Sequence, residues 1–255
     1  MARVTREQLW EAIEGAIADE PRVLAAWEGG SAATGRVDAL SDLDLVLLVE
    51  PADVEAAFAM VEAWLAPLTA IDTAFRLPEP TWHGHAQSFL RLAGASPDHF
   101  VDLVVMARGA KDLFLQEELH GTPRIIVDRV GLEFPPPLER ALIDRANRAR
   151  VASIAVRHRV LGGLPDKERR RGRAIDALAF HQSITLRHLV ELLRIEHDPA
   201  RATFGLRYLD RDLPDPLRAR LEALLFVADP AALAAAIEDA NRWIDELLAR
   251  ADESE

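Results

Sequence analysis

The chain has 255 residues, 30 Lys/Arg against 42 Asp/Glu, a formal net charge of −12 and no cysteine. The length fits one large domain or two modest ones, and the missing cysteines exclude disulfides, thiolate zinc centres and cysteine nucleophiles. No run of about 18 apolar residues is present and no basic segment with a long apolar run follows Met1, so neither a membrane span nor a leader is expected and a cytoplasmic protein is the default.

Thr5 to Gln8 has capping-box spacing, and Leu9, Ile13 and Ile17 share one helical stripe, which predicts a first helix ending before Pro21. Arg22 to Glu28 reads as a first strand. Gly29-Gly30-Ser31 breaks it, a polar loop follows, and a second strand runs over 43–49. Pro51 opens a helix whose Val54, Phe58, Val61 and Leu65 form an apolar face. Ile71 to Leu77 is a third strand. Pro78 to His85 is a loop in which His83 and His85 read as solvated residues rather than metal ligands. Gln87 to Leu92 and His99 to Met106 read as a strand hairpin, Gly109 to Glu118 as a short helix and Arg124 to Asp128 as a last short strand.

Within this order, the stretch from Trp27 to Glu50 carries the chemistry. Asp42-Leu43-Asp44 stands at the entrance of the second strand, and side chains at i and i+2 of a strand share a face. Two neighbouring carboxylates raise each other's pKa unless a cation joins them. Mg²⁺ takes oxygen ligands in this way, usually together with substrate phosphates. The glycines permit close approach of backbone to phosphate, and Ser31 adds a hydroxyl and an N–H. Asp102, in the run His99-Phe-Val-Asp-Leu-Val-Val105, is an acid in apolar company, which needs a reason.

Gly30-Ser31, ten spacer residues and Asp42-x-Asp44 together resemble the signature of the nucleotidyltransferase superfamily, the fold of DNA polymerase β and of the antibiotic adenylyltransferases. The resemblance implies an α+β fold: an N-terminal catalytic domain with a mixed β-sheet flanked by helices, then a C-terminal helical bundle. It implies Mg²⁺ (one or two ions) on Asp42, Asp44 and Asp102, and Gly29, Gly30 and Ser31 on the phosphates of ATP. It leaves Asp102 as either a metal ligand or the base that deprotonates the acceptor. Val101-Asp-Leu-Val104, with Ile126-Val-Asp-Arg-Val-Gly131 further on, also resembles streptomycin-type aminoglycoside 6-adenylyltransferases, with Arg129-Val130 in place of their Lys-Asp.

Phe134-Pro135-Pro136-Pro137 is a stiff linker, giving expected domains of 1–134 and 138–255. Beyond it the pattern is helical: Leu138 to Val160, one long helix from Asp166 to Ile195, Pro216 to Val227 and Pro230 to Ala251. Arg157, Arg159, Lys167, Arg169, Arg170, Arg171 and Arg173 cluster around Gly162-Gly163 and read as a solvated face with local pairs. His181 and His188 share a stripe and read as satisfied residues of a helix–helix seam.

Residues 1–134 hold 10 Lys/Arg and 22 Asp/Glu, whereas 135–255 hold 20 of each. An acidic catalytic half is a poor match for nucleic acid and a better one for a small cationic acceptor. The expected activity is transfer of AMP from ATP to a hydroxyl of such an acceptor, aminoglycoside-like if the resemblance holds, by a monomer or homodimer. Modification of a protein partner, as in antitoxin-like adenylyltransferases, and a non-catalytic nucleotide-binding module stay as alternatives.

Overall fold

The computed structural model describes residues 3–253, and the chain splits into two compact units, Met1–Pro137 and Leu138–Glu255. The first is an α+β unit. Helix α1 (Arg6–Asp19) is closed by the expected capping box, in which Thr5 Oγ1 accepts from the Gln8 N–H and Gln8 Oε1 accepts from the Thr5 N–H. Strands β1 (Val23–Glu28), β2 (Leu43–Val49), β3 (Ile71–Arg76), β4 (Ala86–Leu92), β5 (Phe100–Ala107) and β6 (Arg124–Asp128) form one sheet in the order β3-β4-β5-β2-β1-β6. Only β2 and β5 pair in parallel; the other four pairings are antiparallel, so the sheet is mixed.

The strand alternation sorts the side chains of this sheet onto two faces. Leu43, Leu45, Leu47, Val101, Leu103 and Val105 face α1 and helix α3 (Val54–Leu65), and this is the main core of the unit. On the other face Trp27, Val46, Leu48, Val104 and Met106 pack beneath Leu113, Phe114 and Leu115 from an irregular segment. Asp44 and Asp102 belong to this second face, at the end where β2 and β5 begin.

Three departures from the sequence reading have local causes. The glycine loop is not wholly irregular: Gly30–Ala33 makes a one-turn helix, α2. The helix expected over Gly109–Glu118 is absent, and only α4 (Glu117–His120) forms. Asp112 Oδ1 accepts the Phe114 N–H at 2.8 Å, and Phe114 takes φ +57, which ends any helix there. The single helix expected over 166–195 is several. After α5 (Arg140–Leu161) come α6 (Leu164–Arg170), α7 (Ala174–Phe180), a π-helical segment (His181–Leu186) and α8 (Arg187–His197). Gly172, at φ +76, makes the break between α6 and α7.

Short α9 (Leu209–Asp212), α10 (Asp215–Leu225) and α11 (Pro230–Glu253) complete the second unit. Its core joins Ile154 of α5, Leu189 and Leu193 of α8, Leu221 and Leu224 of α10, and Trp243 and Ile244 of α11. No helix among the described residues is long and apolar enough to cross a membrane.

Candidate active site

The parallel pair β2/β5 brings two of the predicted acids together. Asp44 and Asp102 are register partners across it. They sit side by side on one face, although 58 positions separate them in the chain. Asp42 lies just before β2, and its Oδ1 accepts the Phe100 N–H at 3.1 Å, at the start of β5. The three acids therefore gather at the mouth of one strand pair.

The glycine loop closes over Asp44 from β1. The Gly29 N–H donates to the Asp44 carbonyl at 2.9 Å, which extends the β1/β2 ladder by one step. Gly30 then turns with φ +53, and a Cβ placed on it would lie 1.9 Å from Asp44 Oδ2. Glycine is required here for both space and backbone angle. The Ser31 N–H reaches the Asp44 carboxylate, while the buried Ser31 hydroxyl has no partner.

The electrostatics are those of a place short of positive charge. Burial raises the Asp44 carboxyl above its ordinary range, and the charges of Asp42 and Glu28 push the same way. Burial also raises Asp42, with the Phe100 N–H and the more distant His99 and Arg6 working against it. Among the described residues no arginine or lysine forms an ion pair with Asp42 or Asp44. Arg6 is the near candidate, but its guanidinium is bound to Glu28, and it touches Asp42 only through Nε to the backbone carbonyl at 3.3 Å. Glu28, only 3% exposed, also takes Arg124 at 2.8 Å. Sequence reading did not single out buried Glu28 or the two arginines that meet it, of which Arg124 is exposed. The signal was weak: one glutamate closing an otherwise apolar strand.

These residues fit a divalent cation with a phosphate chain. Two carboxylates held apart from any cation, an unpartnered buried hydroxyl and a crook without Cβ are the donor set such a ligand needs. Among the described residues no three His, Asp or Glu side chains stand close enough to hold a metal, so Asp42, Asp44 and Asp102 do not form the expected three-acid set as they stand. Mg²⁺ is usually held by one or two carboxylates with substrate phosphates supplying the rest.

The loop histidines depart from expectation. His85 is 7% exposed and its Nε2 has no partner, and burial lowers its basicity. His83 is half-buried, 5.5 Å from His85 ring to ring, and both rings meet Phe114 edge-on. Sequence could not show this, because Phe114 comes from the segment expected to be helical. Gln87, also unremarked in sequence, donates from Nε2 to Asp102 Oδ1 at 2.6 Å.

In the second unit the basic cluster is largely paired locally, Arg169 and Arg170 with Asp166, and Arg171 and Arg173 with Glu168. His181 and His188 are buried as expected but are not fully satisfied. His181 Nε2 meets the Leu224 carbonyl at 3.1 Å, while Nδ1 of each ring has no partner.

No family model and no curated protein matches the chain. Among solved structures, it is similar to an aminoglycoside 6-adenyltransferase from Bacillus subtilis, with 13% identity over 96% of this chain and 92% of that one, TM-score 0.35. It is also similar to a nucleotidyltransferase-like protein from Exiguobacterium sibiricum, with 15% identity over 96% and 74%, TM-score 0.40. A chain of the GLD-2/RNP-8 complex matches with 12% identity over 89% and 65%, TM-score 0.31.

Proposed function

We propose that this chain is a Mg²⁺-dependent nucleotidyltransferase that moves AMP from ATP to a hydroxyl of a small, cationic acceptor. The observation that carries the reading is the register of Asp44 with Asp102 on parallel strands, with Gly30 packed against the Asp44 carboxylate. In this reading Asp42 and Asp44 hold the metal, with Asp102 as either a third ligand or the base. Mg²⁺ supplies charge to neutralise the triphosphate and the charge that develops on its leaving group.

The chain's residues then have distinct tasks. Gly29, Gly30 and Ser31 receive the phosphate tail, with the free Ser31 hydroxyl turned to it. Asp102 as base takes the proton of the acceptor hydroxyl. That oxygen attacks the α-phosphorus, the bond from the α-phosphorus to the bridging oxygen breaks, and pyrophosphate leaves. Nothing covalent forms on the protein, so the rate comes from positioning and electrostatics. The excess of acid over base in residues 1–134 supports a cationic acceptor over a nucleic acid.

The test is incubation with labelled ATP, Mg²⁺ and a panel of aminoglycosides and other amino-polyols, following pyrophosphate and the mass of the acceptor. A gain of one adenylate on an acceptor is the expected result. Failure of the protein to bind Mg·ATP in calorimetry removes the reading.

A further inference from the structure

The structure carries a chain of hydrogen bonds that starts at Asp102 and runs away from the strand pair. Gln87 Nε2 donates to Asp102 Oδ1 at 2.6 Å, and Gln87 Oε1 meets His83 Nε2 at 2.9 Å. His83 Nδ1 in turn lies 3.2 Å from the His85 N–H. The Thr81 hydroxyl bonds the His85 carbonyl at 2.6 Å and so fastens the same turn.

With Asp102 as the base, and so ionised, the carboxylate only accepts, and the Gln87 amide presents its NH₂ there and its carbonyl to His83. The carbonyl only accepts, so His83 carries its proton on Nε2. Nδ1 then accepts from the His85 N–H, and the Thr81 hydroxyl lies 3.3 Å from the same nitrogen. The sheet explains the reach. Gln87 and Phe89 share a face of β4, Phe89 is the register partner of Asp102, and Gln87 spans the diagonal.

We propose that Gln87 and His83 are positioning residues for Asp102, locking its carboxylate and tying it to the loop over residues 78–85. The proposal rests on the reading of Asp102 as the base of a nucleotidyl transfer. The amide in the middle decides what the chain does. An amide holds its protons, so the chain is no path for the proton that Asp102 receives. What it supplies is orientation: the bond from Gln87 to Oδ1 fixes the angle at which the Asp102 carboxylate meets the acceptor hydroxyl. A carboxylate on an unsupported side chain rotates freely, and a misplaced base loses rate without loss of substrate binding.

The experiment compares wild type with Gln87→Leu, His83→Phe, His83→Gln and the double variant Gln87→Leu/His83→Phe, after thermal melts have shown each folded. Two readouts are taken: Mg·ATP affinity by calorimetry, and kcat with the acceptor found in the panel. Gln87→Leu is expected to lower kcat by about tenfold or more with nucleotide affinity within about twofold. His83→Phe lowers kcat less. His83→Gln, which keeps a donor near the place of Nε2, restores most of that loss. The double variant is no worse than Gln87→Leu alone, because both act through one contact. Losses that multiply in the double variant overturn the proposal, as does equal damage from His83→Phe and His83→Gln.

A third measurement needs no turnover. Nitrogen-15 spectra of the histidines should show His83 as the Nε2–H tautomer in wild type, with that preference lost in Gln87→Leu. Turnover together with an Nδ1–H tautomer at His83 overturns the chain alone. No turnover by a protein that shows the expected tautomer overturns the transferase reading, and the positioning role falls with it.

Discussion

Each unit withdraws charge from water, and the two treat it in opposite ways. In the helical unit Arg194 is 0% exposed and fully met: it donates to the Gly205 carbonyl at 2.7 Å, to Asp212 at 3.0 Å and to the Arg207 carbonyl. Burial acts upward on its partner Asp212, but hydrogen bonds from Arg211 and Arg194 prevail and hold that carboxyl below the usual range. In the sheet unit Asp44 is pushed the other way, by burial and by two further acids, and no cation is paired with it among the described residues. A charge whose partners are all within the chain fixes structure. A charge whose partner is missing destabilises the fold and marks where a ligand of opposite sign belongs.

The largest expected effect breaks the sheet side of this contrast. Asp44→Asn should lower turnover by roughly 10⁴-fold, about 5.5 kcal/mol of transition-state stabilisation, and abolish the Mg²⁺ dependence of nucleotide binding. It should leave the melting temperature unchanged or raise it, because it removes repulsion with Asp42 and Glu28. Kinetics and calorimetric melts on the same preparation check both halves. A variant that is active but less stable would mean that Asp44 is structural, like Arg194.

Arg194→Ala attacks the other side. It takes from Asp212 one of its two arginine donors, Arg211 being the other, leaves two loop carbonyls without their donor, and empties the volume of a fully buried side chain. The expected loss is about 3–5 kcal/mol of stability, read by denaturant titration. Mg·ATP affinity should survive where the fold does, since the proposed ligands all lie in the other unit. A stability change below about 1 kcal/mol would remove the contrast.

The helical unit also buries groups that titrate. Burial, with the nearby charges of Arg157, His158 and Arg187, lowers the His188 pKa from 6.5 to about 4. The unfolded chain therefore takes up a proton that the folded one refuses. The resulting stability is complete above about pH 6.5, falls as the pH drops, and is gone near pH 4. His158 and His181 are lowered by burial too and act with the same sign. The His188 contribution is at most about 3 kcal/mol. Denaturant midpoints between pH 7 and pH 4, compared with those of His188→Phe, measure it. Parallel curves for the two proteins would refute the assignment.

How much of this was legible in the sequence follows from the range of each interaction. Gly30, Ser31, Asp42 and Asp44 fall within one short stretch, so their spacing reports their geometry. Asp102 was legible as a lone acid in an apolar strand, and the parallel register then placed it beside Asp44. The role of Gln87 was not legible. It depends on a diagonal across β4 and β5, and a one-residue slip in that register would send its side chain to the other face. The same holds for His85, buried by a ring from a segment in which the left-handed turn at Phe114 is something no periodicity reports. In the helical unit, stripes of apolar residues identified the core. They did not show that Gly172 divides the helix or that Arg194 lies inside it, because both rest on partners outside the stripe.

The smallest effect is also the one that best separates strain from contact. Gly30 and Gly35 both have positive φ, +53 and +66, and flank the same loop. A Cβ on Gly35 meets nothing within 4 Å, whereas a Cβ on Gly30 lies 1.9 Å from the Asp44 carboxylate. Alanine at either position brings the left-handed penalty of about 1–2 kcal/mol. Only Gly30→Ala must also move Asp44, and a carboxylate that can swing lets the fold absorb the clash. The two variants should therefore melt within about 1 kcal/mol of each other, while Mg·ATP affinity drops about tenfold or more in Gly30→Ala alone. Equal affinities would show that the crook serves only the backbone turn. Unequal ones would tie the glycine to the acid beside it, and through that acid to the proposed Mg·ATP.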